Sequence, residues 1–289
     1  MSSGTLYLVA TPIGNLEDLS LRALRVLREV DRIACEDTRQ TQKLLRHHQI
    51  ATPTFSFHRY NEHRVVTRAI QGLLAGEDLA LVTDGGTPSI SDPGFMLARE
   101  ATAKGIRVIP IPGASAPLSA LVASGLPADR FLFTGFLPHR SGERRRFLAA
   151  LQDREETLIL FDSPRRVGQS LQEMAEILGE RRACLCREMT KIHEEFRRGS
   201  LSELAAEILR SPVKGEVTLV VGGACASRET AGDPAILRRE VERAMEQEGL
   251  SRRDAAREIA RRFGIARREV YRIARPEEGP PEGNPEEET

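Results

Sequence analysis

The chain has 289 residues, 42 Lys and Arg against 42 Asp and Glu, four cysteines and no tryptophan. That length accommodates two compact domains and a small module, and the scarcity of aromatics argues against a base-stacking platform spread over the surface. No apolar run approaches a membrane span, and Met1 to Thr5 lack the basic and apolar regions of a signal peptide, so a cytosolic protein is expected.

In chain order, the first part alternates between the two periodicities. Leu6–Ala10 reads as a strand, and Ser20 caps a helix whose Leu21, Leu24, Leu27 and Val30 recur at helical spacing. A strand Arg32–Cys35, a helix Thr38–His47, a strand Thr54–Phe57 and a helix Glu62–Ala75 follow. Strand Leu79–Thr83, helix Phe95–Lys104, strand Arg107–Pro110 and a small-residue helix to Ser124 complete this part. The order predicts a largely parallel sheet covered on both faces. Gly125 to Asp129 reads as a hinge.

A second alternating region begins with strand Arg130–Thr134, helix Gly142–Leu151 and strand Thr157–Phe161. It continues with helix Arg166–Leu178, strand Ala183–Arg187, a helix near Leu201–Leu209 and strand Val217–Val221. Ala224 to Asp233 is small and polar, as a linker would be. Beyond it, Ser251 and Asp254 make a capping-box-like start for a helix that Gly264 can close, and a second short helix runs from Ala266 to Ala274. Two short helices joined at a glycine resemble a helix-turn-helix. The predicted division is 1–124, 125–224, a basic helical module 233–275 and a disordered acidic tail 276–289.

The zero net charge hides an asymmetry: Leu250 to Arg275 hold nine arginines against three acids, while Pro276 to Thr289 hold six glutamates and no base. Such opposed blocks point to an anionic partner, and a solvated helix face explains the arginines almost as well. Cys35, Cys184, Cys186 and Cys225 fit neither a disulfide framework nor a metal spacing and read as reduced thiols.

The chemistry concentrates in turns that follow strands. Leu81 to Gly94 joins an apolar run to an acid, paired glycines and prolines, a loop shaped before any ligand arrives. The chain has no G-x-G, no G-x-x-x-x-G-K and no G-x-S-x-G, which argues against a dinucleotide fold, a P-loop nucleotidase and a nucleophile elbow. What remains is four turns: Thr11 to Leu16, Glu36 to Arg39, the Asp84 loop and Pro112-Gly113. All would emerge at the carboxyl edge of one parallel sheet, where α/β folds bind ligands.

Leu8 to Leu16, with its Thr11-Pro12-Ile13-Gly14-Asn15-Leu16, and Cys35-Glu36-Asp37-Thr38-Arg39 resemble the tetrapyrrole methylase superfamily. More narrowly, they resemble its branch that 2′-O-methylates a cytidine of 16S ribosomal RNA. Asp84 to Gly94, Pro112 to Ala116, Gly135 to Pro138, Ser163 to Arg166 and Arg187 to Glu195 agree with that branch, so the likeness spans Thr5 to Ala274. The chain departs from it where Thr83-Asp84-Gly85-Gly86 stands for Ser-Asp-Ala-Gly and Asp162-Ser163-Pro164 for Glu-Ser-Pro; the acidic tail is outside the pattern.

The resemblance implies two α/β domains with S-adenosylmethionine in the cleft between them, a homodimer, and the small ribosomal subunit or its 16S rRNA as partner. By carry-over, Pro12, Gly14, Asp84, Gly85, Gly86, Thr87, Ser115 and Ala116 would hold the cofactor, with Met189 and Thr218 from the second domain. The chemistry implied is in-line attack of a ribose 2′-hydroxyl on the sulfonium methyl, which needs alignment and no metal. Glu36, Asp37 and Lys191 are the candidates for taking the hydroxyl proton, with Arg39 holding a phosphate or a carboxylate, although a structural ion pair explains each more readily than catalysis does. Arg140, Arg144, Arg145, Arg146, Arg267 and Arg268 are the expected RNA contacts. Two other readings stand beside this one: a corrin- or porphyrin-type small-molecule methyltransferase of the same superfamily, and a non-catalytic RNA-binding assembly factor.

Overall fold

The structure is a computed structural model and describes residues 3–224, 234–263 and 265–274. The chain divides into a unit Met1–Gly223 and a unit Ala224–Thr289.

The first unit is built on two five-stranded sheets. Its first sheet comprises β1 (Thr5–Val9), β2 (Arg32–Cys35), β3 (Thr54–Ser56), β4 (Leu79–Val82) and β5 (Arg107–Ile111), all parallel and ordered β3-β2-β4-β1-β5. Helices α1 (Leu21–Glu29), α2 (Thr38–His47), α3 (Glu62–Leu74) and α4 (Phe95–Ala103) connect the strands. Leu79 to Val82 are buried without alternation, as a central strand covered on both faces requires. Two apolar clusters cover it: Val9, Leu27, Ile33 and Val82 on one side, Leu6, Phe57, Leu73 and Leu97 on the other. Ser20 accepts from the Ala23 N–H and caps α1 as predicted.

The second sheet comprises β6 (Phe131–Phe136), β7 (Thr157–Asp162), β8 (Arg182–Arg187), β9 (Glu195–Ser200) and β10 (Val217–Val221), ordered β6-β7-β10-β8-β9. It is mixed: β6 and β7 are parallel, whereas β10 runs antiparallel to β7 and β8, and β9 antiparallel to β8. The sequence reading has no β9, because Glu195-Phe196-Arg197-Arg198-Gly199-Ser200 carries no apolar run. Helices α6 (Ser141–Ala149), α7 (Val167–Leu178) and α8 (Leu201–Arg210) cover one face around Leu148, Leu160, Leu171 and Leu219. A full capping box starts α8: Ser200 Oγ accepts from the Glu203 N–H, and the Glu203 carboxylate accepts from the Ser200 N–H. Ser200→Ala should lower stability by about 1 kcal/mol, read as a shift of the urea midpoint at unchanged slope.

The other face of this sheet is covered by α5 (Ala116–Ser124), whose Ala120 and Leu121 pack with Ile159, Cys184, Cys186 and Val220. The sequence-based division at Gly125 leaves α5 with the first domain, whereas its apolar contacts lie with the second. The crossing between sheets therefore falls at Pro112 to Ser115, ahead of the helix. Gly125 caps α5 in the left-handed conformation.

Cys35, Cys184 and Cys186 are buried free thiols; Cys225 lies outside the described residues. In the second unit, α9 (Pro234–Glu248), α10 (Arg252–Phe263) and α11 (Arg267–Ile273) share a core of Leu237, Val241, Ala255, Ala256, Ile259 and Val270. Ser251 starts α10 by accepting from the Asp254 N–H while its hydroxyl donates to the Asp254 carboxylate. Gly264, most of the expected linker and the acidic tail lie outside the described residues. No described helix is long and apolar enough to cross a membrane.

Candidate active site in the cleft between the two sheets

The four turns singled out in the sequence meet at the carboxyl edge of the first sheet, and hydrogen bonds tie them together. Thr11 and Gly86 exchange backbone bonds of 2.9 and 2.8 Å, and the Thr11 hydroxyl donates to the Thr83 carbonyl. Gly86 makes this bridge at φ +90°, where an L side chain is strained. The Asp37 N–H donates to Asp84 Oδ1 at 3.0 Å, joining the β2 and β4 turns, and the Thr87 hydroxyl donates to the Ala114 carbonyl in the β5 turn.

The turn after β1 also reaches the second sheet. A Cβ on Gly14 would lie 2.5 Å from Lys191 Cγ and 2.8 Å from Thr190 Oγ1, so only glycine lets the two segments pass so closely. Backbone strain collects on both sides of the gap: Ser89 and Ser91 have φ of 71° and 68°, Glu188 and Thr190 of 48° and 67°.

Between the two sheets lies a cavity of about 770 Å³. Pro12, Gly14, Asp84, Gly85, Gly86, Thr87, Ser115, Ala116, Met189 and Thr218 all line it. Every position expected from the sequence to hold a cofactor therefore faces one cleft. The wall from the second sheet holds residues the sequence reading left without a role: Phe136, Phe161, Asp162, Ser163 and Pro164. Phe136 and Phe161 stand 5.1 Å apart, ring centre to ring centre. Asp162 Oδ1 accepts from the Ser163 N–H and from Arg166 Nε, and the Arg166 guanidinium also donates to the Leu137 and Pro138 carbonyls. The other oxygen, Oδ2, is buried with no hydrogen-bond partner among the described residues.

Glu36, Asp37, Arg39 and Lys191 stand beside the cavity rather than among its lining residues. Asp37 caps α2, accepting from the Arg39 N–H and guanidinium, and this bonding holds its carboxyl below the usual range. Lys191 bonds Glu188 and Glu216 at 3.0 Å each; burial draws its ammonium down, the two carboxylates outweigh it, and the net shift is upward. Neither group is set to accept a proton near neutrality. Burial, then the charges of Asp92 and Asp84, raise the Glu36 carboxyl. Partial loss of hydration raises Asp84.

Asp92, in the Leu81–Gly94 loop but with no role expected from the sequence, does line the cavity. Burial, with the Asp84 charge adding to it, pushes its carboxyl up to about 6. Its position in Ser91-Asp92-Pro93-Gly94, at the far end of the Asp84 loop, was the available signal. Among the described residues no group of three or more His, Cys, Asp and Glu is arranged to hold a metal ion.

The expected RNA contacts differ in their surroundings. Arg144 is 3% exposed. Its guanidinium makes a paired contact of 2.7 and 2.9 Å with Glu173 and donates to the Pro138 and His139 carbonyls. The structure corrects the expectation here, because a guanidinium so enclosed, with four of its five N–H groups engaged, is out of reach of a phosphate. Arg140, Arg145, Arg146, Arg267 and Arg268 are exposed.

A family model described as Tetrapyrrole (Corrin/Porphyrin) Methylases matches residues 5–205. The chain belongs to the tetrapyrrole methylase family. This methylase is 44% identical to ribosomal RNA small subunit methyltransferase I of Halalkalibacterium halodurans, over 93% of its own length and 94% of the relative's. It is 50% identical to the protein of that name from Pseudomonas aeruginosa, over 77% and 80% of the two chains. Among solved structures, diphthine synthase matches with a TM-score of 0.60 at 18% identity, covering 76% of this chain and 90% of that one. Uroporphyrin-III-C-methyltransferase from Thermus thermophilus matches at 0.55 and 24%, covering 76% and 94%. These two likenesses carry the fold alone.

Proposed function

We propose that this methylase transfers the methyl group of S-adenosylmethionine to the ribose 2′-hydroxyl of a cytidine in 16S rRNA of the small ribosomal subunit. The observation that carries the reading is the convergence of all ten expected cofactor positions on one cleft. The similarity to small subunit methyltransferases I over nearly the whole chain supports the choice of acceptor.

The residues present fit the cofactor. The cleft is large enough for it, offers bare backbone at Gly85 and Gly86, and sets apolar walls of Ile13, Ala116, Phe136 and Met189 around polar groups. Asp84, Asp92 and Glu36 surround it with negative charge, which suits a cationic sulfonium and ammonium. When bound, the cofactor supplies the activated methyl group. The protein aligns the hydroxyl and takes its proton. Asp92 holds that proton, because its carboxyl titrates near enough to neutrality to be both ionised and basic. Glu36 shares the charge beside it, while Asp37 and Lys191 keep the flanking turns in place.

Arg140, Arg145, Arg146, Arg267 and Arg268, all exposed, anchor phosphates, and Arg39, largely exposed beside Asp37, can join them. The enzyme works as a cytoplasmic homodimer in this reading, a state that light scattering on the eluted protein checks. The test of function uses labelled S-adenosylmethionine and small subunits lacking the modification, followed by mapping of 2′-O-methyl sites. Label at one cytidine is the expected result. Transfer to a corrin or porphyrin precursor without RNA would replace the proposal with the small-molecule reading.

A further inference from the structure

A second recess of about 290 Å³ lies along α3 and the edge strand β3, outside the cleft. Its floor is apolar, made of Ala69, Leu73 and Leu79, and its rim carries Arg32, Arg64 and Arg68. Among the described residues none of these guanidiniums has a carboxylate within 4 Å, although Glu77 is part of the wall. Elsewhere in the same unit, Arg144, Arg166, Arg187 and Arg197 are all paired with acids. Three unneutralised cations around one concavity repel one another and favour an anion between them. Arg32 is already oriented: its guanidinium lies 4.6 Å from the centre of the Phe55 ring, which leaves its in-plane donors free.

The recess also has a direction. It runs from Asn61, at the start of α3, to Leu73 near its end, roughly 18 Å at the helical rise. That is far longer than one phosphate group. The Asn61 end is the turn after β3, which emerges at the same carboxyl edge as the cleft. In that turn Arg59 acts electrostatically on both Glu36 and Asp92, and Tyr60 is 96% exposed. The groove therefore opens beside the catalytic carboxylates and leads away from them.

We propose that this groove is a track for single-stranded RNA: Arg32, Arg64 and Arg68 hold successive phosphates of the strand that leaves the cleft, and Tyr60 stacks a base at the turn. A phosphodiester strand matches the site in charge, length and starting point, and an exposed tyrosine stacks any base. The inference rests on the reading that the acceptor is RNA.

The test compares the wild-type protein with R64Q/R68Q and with Y60A, using a fluorescent single-stranded RNA oligonucleotide titrated over a range of salt. Both arginines are exposed, so cofactor affinity and melting temperature serve as checks that the fold is kept. The double variant is expected to bind RNA about tenfold more weakly. Its log–log salt slope should be shallower by about 1.4, the loss of two single-strand phosphate contacts. Y60A should weaken binding about tenfold or more with the slope unchanged. Wild-type affinity and slope in R64Q/R68Q would overturn the proposal. So would inorganic phosphate that depends on these arginines while RNA does not, which marks a free-anion site. If the groove binds RNA as expected and subunits accept no methyl group, the groove stands and the assignment of function falls.

Discussion

Asp92→Asn is expected to lower kcat for methyl transfer about a hundredfold or more, within the range a positioned general base supplies, a loss larger than the weaker cofactor binding that follows from removing one of the carboxylates around the cleft. The carboxyl is half-buried in the cleft, and burial together with Asp84 pushes it up to about 6. The sign follows directly. Below that value the group carries a proton and cannot take another, so the wild-type single-turnover rate should fall as pH drops through about 6 and level off above 7. The asparagine variant should be slow and nearly flat over the same range, and Asp92→Glu should restore part of the rate. A wild-type rate with an unchanged pH profile in D92N would remove Asp92 from the reaction and leave Glu36 as the remaining raised carboxyl.

The largest effect on stability is expected from Arg144→Ala. The side chain is 4% exposed and its partner Glu173 14% exposed, and truncation leaves that carboxylate and the Pro138 and His139 carbonyls without their donor. Removing one member of a buried pair costs about 3–5 kcal/mol, which in a unit of this size lowers the melting temperature by roughly 10 °C. Arg145→Ala, one position on, breaks only an exposed contact with Glu176 and should leave the melting temperature almost unchanged. Equal melting of the two variants would refute the structural role of Arg144. The contrast also guards the RNA experiments, because weak binding by R144A reports unfolding rather than a lost phosphate contact.

These two residues show where the sequence was legible. The parallel first sheet follows from alternating apolar runs and capped helices, and the four turns from glycine, proline and acids placed after strands. The second sheet was harder, because periodicity reports which residues are buried and says nothing of strand direction. Its edge strand β9 holds a single aromatic, Phe196, beside the adjacent Arg197 and Arg198, and has no apolar run to mark it. The run Arg144-Arg145-Arg146 reads as uniform charge, yet Arg144 shares a helix face with Leu148, four residues on, and turns inward with it. Phe136 and Pro164 fall in stretches that match the family, yet they and Phe161 line the cleft as apolar surface with no polar group to give them a role. The β3–α3 groove escaped for another reason: Arg32, Arg64 and Arg68 are far apart in the chain and meet only through tertiary packing.

The strand order β3-β2-β4-β1-β5 sets a schedule for biosynthesis. β1 bonds only to β4 and β5, so a nascent chain carries it unpaired until Val82 has been made. β2 and β3 can associate earlier, but they cannot reach β1 until β4 slots between them. Parallel pairing over such separations is slow, and the apolar Leu6 to Val9 stays uncovered meanwhile. The turns at Thr11, Glu36 and Asp84 are thus synthesised far apart in time and lock together in a single late event.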